Sequence, residues 1–294
     1  MLLPGSISDQ SFNYSAYLGL QYIEAMGYEV SYVERVADND IAATYRTYAQ
    51  GDYQLIIGVG WEFVDPIVPV AKDFPDKFFY VYGSAPGEDV VLSDNVAFSN
   101  NKEFEGAYVC GVMAGLETES NIVGFVGAAP SIPQIANNNA FRNGVLSVNP
   151  DAEVRYIMTG SFDDPAAGKE AATALIEGGA VVIMHNADAT GTGAIDVCVD
   201  KGVKCIGYGA DQTALAPDLM LCSLAVNSAK CIAGQIEHLK EGDFAGIQRE
   251  GIAEGVIYVP FGNACSEESR AKCEEVIQAI QDGSLVVEEI TSEY

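Results

Sequence analysis

Residues 4–19 are PGSISDQSFNYSAYLG, a turn that leads into a helix. The Pro-Gly turn follows a short apolar start at residues 1–3, and Ser8 or Asp9 can cap the helix by accepting its first free N–H groups. Apolar residues then recur at helical spacing until Gly27, where the pattern ends. The stretch therefore predicts a strand, a turn and a helix in direct succession.

The first turn of this helix carries three residues that a ligand could use. Asp9, Phe12 and Asn13 bring a carboxylate, an aromatic ring and an amide to the junction of strand and helix. In open α/β sheets, ligands bind outside the carboxyl ends of the strands, and this junction is such an end. A capping Asp and a core Phe would give the same three letters, and this stretch alone leaves both interpretations open.

The rest of the chain repeats the alternation of strand and helix. Further strands are predicted at residues 28–33, 54–60, 78–84, 95–98, 121–128, 153–160, 180–187, 204–210, 219–226 and 252–258. Helical patterns occupy most of the segments between them, and this alternation favours parallel sheets with helices on both faces. The strands form two series, which predicts two Rossmann-like α/β domains joined by several crossing strands, with a ligand cleft between them. We expect the first domain at 1–100 plus about 227–258, and the second at 101–226 plus about 259–294.

Length and charge limit the classes of function. The chain has 294 residues, of which 49% are hydrophobic, enough for more than one packed core. Its formal net charge is −27, with 42 acidic against 15 basic residues. Such a charge repels nucleic acids and anionic lipid surfaces, so neither is an expected partner. An exported protein is compatible with this acidity, and so is a cytosolic one.

Cysteine and histidine usage argues against a disulfide framework and a metal site. Seven cysteines are scattered in apolar settings without a C-x-x-C pair, which predicts buried free thiols. The two histidines, His185 and His238, lie outside any His/Cys cluster, so no metal is expected. No apolar run approaches the ~18 residues of a membrane span. Because residues 1–3 already form a predicted strand, we expect that a natural leader preceded them.

Polar and aromatic residues collect where the predicted strands end. They are Asp9, Phe12, Asn13, Gly60, Trp61, Glu62, Tyr82, Gly83 and Ser84 in the first series, and residues 130–134, Ser161, Phe162, Asn186, Asp188, Gly209 and Asp211 in the second. Facing edges of this composition would suit a flat polar heterocycle, held by stacking and edge hydrogen bonds. Residue by residue, Trp61 and Phe162 could instead be core residues, and Asp188 and Asp211 could be helix caps. The recurrence at seven strand ends favours binding.

Signatures of catalysis are missing from the sequence. No G-x-G-x-x-G follows the first strand, and neither a phosphate-binding G-x-x-x-x-G-K-[ST] nor a G-x-S-x-G motif occurs. His185 could act as a general base, but its MHNAD context offers no nucleophile. We therefore expect a binding protein without a cofactor rather than an enzyme; an α/β enzyme acting on a nucleotide or sugar is the alternative from another class.

Several segments together resemble the basic membrane protein (BMP) or PnrA-like family. They are LLPGSISDQSFNYSAYLGL (2–20), GWEFVDPIVPVAKDFPDKFF (60–79), NKEFEGAYVCGVMAG (101–115), IVGFVGA (122–128), AFRNGVLSVNPD (140–151), GSFDDPAAGKEAA (160–172) and GADQ (209–212). The resemblance covers essentially the whole chain in order. It implies a type I periplasmic-binding-protein fold that delivers purine nucleosides or related molecules to an ABC importer.

The resemblance also implies roles, partners and a location. In that family the aromatic residue at the position of Phe12 stacks on the base, with Asp9 and Asn13 beside it and Trp61 after the third strand. Asn186, Asp188 and the loop from Gly209 to Asp211 would close over the ligand. The implied protein is a monomer outside the cytoplasm, either periplasmic or anchored by an N-terminal lipid, and its partners are a purine-like ligand and a membrane permease.

Two positions depart from the nucleoside-binding pattern of the family. The first acid of a V-D-x-D-Q motif is replaced by Gly209, and the lysine of a T-S-x-x-K-N stretch by Val226. Losing both removes charge-assisted bonds to a sugar, each worth roughly 1.5–3 kcal/mol. A nucleobase thus becomes a credible ligand beside a nucleoside. Some branches of the family bind adenine or a flavin, and a flavin or another flat heterocycle remains the alternative ligand.

Overall fold

The structure is a computed structural model that describes residues 1–87 and 89–292. Its strands are β1 Leu55–Val59, β2 Phe78–Tyr82, β3 Val96–Ser99, β4 Ile122–Gly127, β5 Glu153–Met158, β6 Val182–Asn186, β7 Lys204–Gly209, β8 Met220–Val226, β9 Gly246–Gln248 and β10 Ile257–Tyr258. Its helices are α1 Phe12–Ala25, α2 Ile41–Ala49, α3 Val64–Asp73, α4 Glu103–Glu117, α5 Ile132–Val148, α6 Pro165–Glu177, α7 Asp188–Lys201, α8 Ser228–Glu241 and α9 Glu267–Gln281. No described helix is long and apolar enough to cross a membrane.

The chain divides into two compact units. Unit 1 comprises Met1–Ser8, Asn13–Asn101 and Asn227–Glu250, and unit 2 comprises Asp9–Phe12, Lys102–Val226 and Gly251–Tyr294. Two segments lie elsewhere than the sequence suggested. Residues 9–12 belong to unit 2 because their hydrogen bonds go to the ends of its strands, and residues 251–258 belong there because β10 pairs with β8.

The sheet of unit 1 is parallel throughout, with strand order β1-β2-β3-β9. The strands predicted at residues 1–3 and 28–33 are reduced to isolated bridges, in which Leu2 pairs with Val33 and with Gly58. Met1, Leu2 and Leu3 all take part in backbone hydrogen bonds there, to residues 33 and 36 on one side and 57 and 59 on the other, but these bonds do not extend into a strand. Strand β9 was not predicted, because its sequence GIQ carries no apolar run.

The core of unit 1 fills the space between this sheet and helices α2 and α3. Tyr45, Phe63 and Phe79 are fully buried, and their rings meet edge to face. Such contacts between aromatic edges and faces add to the burial of the rings themselves. The apolar runs of the sequence thus give the covered parallel strands that they predict.

The sheet of unit 2 has the order β10-β8-β7-β6-β4-β5. Its first five strands in the chain, β4 to β8, run parallel, and β10 runs antiparallel to β8. The predicted parallel sheet is confirmed for β4 to β8, and β10 departs from it. A two-residue strand at an edge can pair in either direction, since no crossover helix has to cover it.

Helices α4 and α5 of unit 2 pack with their backbones in contact. A Cβ atom at Gly111 would lie 2.0 Å from the carbonyl oxygen of Phe141, and one at Gly144 would lie 2.1 Å from that of Tyr108. Side chains of any size would hold the two helices apart. The glycines at these positions are therefore part of the packing.

All seven cysteines are free thiols, as the sequence predicts. Six of them are buried, and Cys265 alone is partly exposed. The sulfur atoms of Cys110 and Cys222 lie 3.9 Å apart inside unit 2. Burial raises the pKa of the Cys222 thiol well above its ordinary value, and so does Cys110 beside it.

Candidate functional site

The segment Asp9–Phe12 lies against the strand ends of unit 2. Asp9 is buried, and its Oδ1 accepts the N–H of Ser11 at 2.9 Å, so it closes a turn one step before helix α1. The hydroxyl of Ser11 lies 2.9 Å from the carbonyl oxygen of Tyr208 and 3.1 Å from Oδ1 of Asp188. This turn brings two of the predicted site residues, Asp9 and Asp188, to the same edge of the sheet.

Gly209 permits this close approach. Its φ is +83°, and a Cβ there would lie 2.7 Å from the backbone nitrogen of Phe12 and 2.7 Å from Oγ of Ser11. Any side chain at this position would both strain the backbone and displace the segment. The sequence suggested a lost acid at Gly209; the structure adds that the backbone of residues 11–12 occupies the space beside it.

Asn186 ends β6 and is held by a buried glutamine. Nε2 of Gln134 donates to the backbone oxygen of Asn186 at 2.6 Å and to its Oδ1 at 2.8 Å. Oε1 of Gln134 accepts the N–H of Ala128, the residue that follows β4. Asn186 is 1% exposed, and its Nδ2 finds no hydrogen-bond partner in the described residues. Gln134 thus ties the ends of β4 and β6 together. It also fixes the orientation of the Asn186 amide, with Oδ1 bound to Gln134 and Nδ2 left without a partner among the described residues.

Asp188 begins helix α7 in an unusual backbone conformation. Its φ is +46°, a region that residues other than glycine seldom adopt, and its side chain is buried. Such conformations cluster at functional sites, where the surrounding structure holds them in place. The turn of residues 9–11 is part of what holds this one, through Ser11.

Phe162 and Asp211 have local contacts of their own. Phe162 is partly buried, and its carbonyl accepts the N–H of Thr190 in the first turn of α7. Asp211 is exposed, and its Oδ1 accepts both the N–H of Thr213 at 3.0 Å and its hydroxyl at 2.6 Å. Asp211 thus closes a local turn, and the alternative that it caps a helix is wrong, because no described helix begins there.

Other predicted site residues lie within unit 1, in the first turn of α1 and after β1. Asn13 is buried, and its Oδ1 accepts the N–H of Gly5 at 3.0 Å, which fixes the turn before α1. Gly60 follows β1 with a φ of +97° and donates its N–H to Tyr82 at 2.9 Å. Trp61 comes next and is 49% exposed, so it is not the core residue that a lone tryptophan usually is.

Glu62, beside Trp61, appears in the sequence only as part of that strand end, yet the pKa of its carboxyl is strongly raised. Burial raises the pKa of its carboxyl, and the charge of Asp38 adds to this; the pKa stands at about 7. The group therefore changes charge near neutral pH. Nothing in the local sequence signals this, because the burial comes from the folded turn.

His185 is a structural residue rather than a general base. It is buried, and burial lowers its pKa to about 4 although Gln212 opposes the shift. Its Nε2 lies 2.7 Å from Oε1 of Gln212, and its ring packs edge to face on Tyr208. His238, by contrast, lies with Glu241 and Asp243 in one cluster of potential metal ligands at the end of α8, where it already hydrogen-bonds Asp243.

Comparison with known proteins identifies relatives across the whole chain. The family model described as ABC transporter substrate-binding protein PnrA-like matches residues 1–291. A purine-binding protein of Brucella abortus (strain 2308) is 31% identical over 272 residues, which cover 90% of this chain and 75% of the relative. The ABC transporter nucleoside-binding protein BmpA of Lactococcus lactis subsp. cremoris is 26% identical, with 96% of this chain and 86% of the relative covered.

Solved structures share the fold. An ABC transporter solute-binding protein from Aeropyrum pernix K1 superposes with a TM-score of 0.85 at 22% identity, covering 98% of this chain and 93% of that one. A second, from Conexibacter woesei, gives a TM-score of 0.81 at 22% identity, with 99% and 98% covered. At these identities the likeness concerns the fold, an α/β architecture with mostly parallel sheets.

Proposed function

We propose that this chain, which belongs to the PnrA-like family of ABC transporter substrate-binding proteins, binds a purine-type ligand and presents it to a membrane permease. Proteins of this family bind a small molecule and work with a permease, and the family is one of solute-binding proteins rather than enzymes. The finer proposal concerns the ligand, a nucleobase or a nucleoside. Its basis is a set of residues that unit 2 brings together.

The observation that carries the proposal is the docking of Asp9–Phe12 on the edge of unit 2. This docking places the buried carboxylates of Asp9 and Asp188 at one edge, joined through Ser11. Purines present ring N–H and exocyclic amino groups, which can donate hydrogen bonds to carboxylates. They also present a flat ring on which an aromatic side chain can stack. We assign the stacking role to Phe12, and further contacts to Asn186 of unit 2 and to Trp61 and Asn13 of unit 1.

The surroundings of Gly209 and Val226 favour a nucleobase over a nucleoside. The position of a side chain at Gly209 is filled by residues 11–12, and Val226 is a buried apolar residue at the end of β8. Neither position offers a charged group to ribose hydroxyls. A ligand without a sugar loses nothing by their absence, whereas a nucleoside has to find other partners.

The first test is a thermal-shift and calorimetric screen of the purified chain. The panel is adenine, guanine, hypoxanthine, their ribonucleosides, uracil, uridine and riboflavin. A ligand present at 100 times its dissociation constant should stabilise the fold by about 2.7 kcal/mol. We expect a purine base to give the largest shift. A larger shift with its nucleoside would contradict the argument from Gly209, and a response to riboflavin alone would replace the purine by a flavin.

The role of Phe12 is tested by truncation. Phe12→Ala should weaken binding of the purine by about 1–3 kcal/mol, the usual value of stacking a base on an aromatic side chain. Tyr156→Ala is the matched control, because Tyr156 is a 51% exposed aromatic residue on β5 and has no assigned role. Equal affinity of the wild type and Phe12→Ala would remove Phe12 from the site.

Location and partner follow from the same proposal. As a substrate-binding protein the chain would work outside the cytoplasmic membrane as a monomer, held there by an N-terminal lipid or free in a periplasm. Its net charge of −27 disfavours direct adsorption to anionic lipids, so retention at the membrane would depend on the anchor or the permease.

A further inference from the structure

Gln212 lies at the centre of a buried network that follows strand β7. It is 1% exposed, and its backbone N–H donates to Oγ of Ser223 on β8 at 3.2 Å. Its Oε1 accepts the N–H of Tyr208 at 3.1 Å and lies 2.7 Å from Nε2 of His185. Its Nε2 donates to the carbonyl oxygen of Gln10 at 2.9 Å. The side chain of Gln212 therefore joins β6 and β7 to the segment Asp9–Phe12, and its backbone N–H adds a bond to β8.

Two hydrogen bonds determine which way round the Gln212 amide lies. The backbone N–H of Tyr208 can only donate, so the atom that faces it must be the oxygen. The carbonyl of Gln10 can only accept, so the atom that faces it must be the nitrogen. Both constraints give the same orientation, and together they make Gln212 the donor that holds Gln10.

The same logic fixes the protonation of His185. Since Oε1 of Gln212 is an acceptor, Nε2 of His185 must carry the proton that points at it. Nδ1 is buried without a partner among the described residues, and it lies against helix α7, where a Cβ at Gly191 would approach it to 1.9 Å. Because this burial lowers the pKa of the ring to about 4, the imidazole is neutral at pH 7 and Nδ1 carries no proton. Among the described residues, the titratable ring that packs on the imidazole is that of Tyr208, at 6.5 Å between centroids. His185 is thus a neutral imidazole whose Nε2–H donates to Oε1 of Gln212 and holds that side chain in place.

The backbone that Gln212 holds needs such support. Gln10 has a φ of +54°, a conformation that costs a residue other than glycine free energy. Its neighbour Ser11 is held by Tyr208 and Asp188, whereas the carbonyl of Gln10 accepts its side-chain hydrogen bond from Gln212. Without this bond the turn has less to hold it in the strained region.

We propose that Gln212, supported by His185, is a positioning residue of the ligand site, which holds the carbonyl of Gln10 and thereby sets where Asp9 and Phe12 lie. The inference rests on the proposed function, in which Asp9 and Phe12 contact the ligand. It assigns Gln212 no contact with the ligand itself. Its effect on binding is transmitted through the backbone of residues 10–12.

The decisive variant is Gln212→Glu, which keeps the shape of the side chain and replaces the donor Nε2 by an oxygen. At pH 8 a carboxylate would face the carbonyl of Gln10 and repel it, and affinity for the base that the wild type binds best should fall about tenfold or more. At pH 5 the buried carboxyl, whose pKa burial raises, regains a proton and can donate again. The loss should then shrink to roughly threefold or less.

Gln235→Glu is the matched control. Gln235 is also a buried glutamine, it donates to Oε1 of Gln248, and it lies on α8 of unit 1 with no role in the site. Its variant should lower the melting temperature and leave the dissociation constant unchanged at both pH values. A pH-independent loss of affinity in Gln212→Glu, or no loss, would overturn the positioning role.

Two readouts without ligand separate this inference from the proposed function. Nitrogen NMR of the two histidines should show His185 as the Nε2–H tautomer in the wild type, and an Nδ1–H tautomer would refute the orientation of Gln212. Hydrogen exchange of the peptide covering residues 10–13 should be faster in Gln212→Glu than in the wild type at pH 8. If no purine binds the wild type, the proposed function fails, while these two measurements still decide whether Gln212 holds the segment.

Discussion

Tyr45 buries a hydroxyl group that has no hydrogen-bond partner in the described part of the chain. Its Oη lies over Gly58, where a Cβ would approach to 1.9 Å, and burial raises its pKa well above the ordinary value. We expect Tyr45→Phe to raise the free energy of unfolding by about 1 kcal/mol, because it removes an unpaired buried polar group. Urea unfolding of both proteins measures this difference.

Tyr80 provides the opposite case in the same unit. It is equally buried, but its hydroxyl donates to Oγ of Ser99 at 2.7 Å. Tyr80→Phe should therefore lower the free energy of unfolding by about 1 kcal/mol. A fall in both variants would show that the hydroxyl of Tyr45 is satisfied in solution, and a rise in both would show that the bond from Tyr80 to Ser99 adds no stability.

At the residue scale the sequence indicated candidate ligand-binding residues, whose role stays a prediction, and did not indicate the contacts that hold them in place. Asp9 and Asp188 were predicted from their places after strands, and the structure brings them to one edge. Gln10 and Ser11 were not singled out, because their importance lies in a backbone carbonyl and a hydroxyl that meet distant residues only after folding. The pKa of Glu62 could not be foreseen for the same reason.

Helices α4 and α5 give the sharpest prediction for a pair of elements. Gly144→Ala should lower the free energy of unfolding by about 1–3 kcal/mol, since the added methyl group would meet the backbone of Tyr108 and force the helices apart. Gly234→Ala on α8 is the control: a Cβ there meets nothing within 4 Å, and the change should stabilise by about 0.4–1 kcal/mol. A neutral Gly144→Ala, measured by thermal unfolding, would mean that the helices can separate at little cost.

Elements with strong periodicity were predictable, and short ones were not. The buried parallel strands of both units appear where apolar runs predicted them, as in β1 and β4. β9 and β10 have three and two residues, and pairing with neighbours rather than pattern defines them. The direction of β10 could not be predicted either, because a pattern of residues carries no information on which way an edge strand runs.

The whole molecule carries a large uncompensated charge. A net charge of −27 should destabilise the compact state by self-repulsion at low ionic strength. Raising NaCl from 0.01 to 0.1 M shortens the screening length from about 30 to 10 Å, so we expect the melting temperature to rise by several degrees. KCl should act equally, and the effect should vanish near the isoelectric point of about 4.1. A fall in melting temperature with salt would show that local ion pairs outweigh the net repulsion.

The division into units was only partly accessible from the sequence. Two series of strands predicted two α/β units. The assignment of Asp9–Phe12 to unit 2, however, depends on contacts with residues about 200 positions further along the chain: Ser11 bonds to Tyr208, Gln212 bonds to Gln10, and Gly209 leaves room for the segment. Spacing along a chain cannot show such a return. The family resemblance predicted the type of fold, which the spacing of strands and helices alone could not. The family match over residues 1–291 confirms this resemblance.

Because six of the seven cysteines are buried, thiol labelling can distinguish folded from unfolded molecules of this protein. A folded chain offers an alkylating reagent one partly exposed cysteine, Cys265, whereas an unfolded chain offers seven. The mass of the labelled product therefore distinguishes the two states molecule by molecule. A dye attached at Cys265 would likewise mark one defined place on each native chain without any engineered residue.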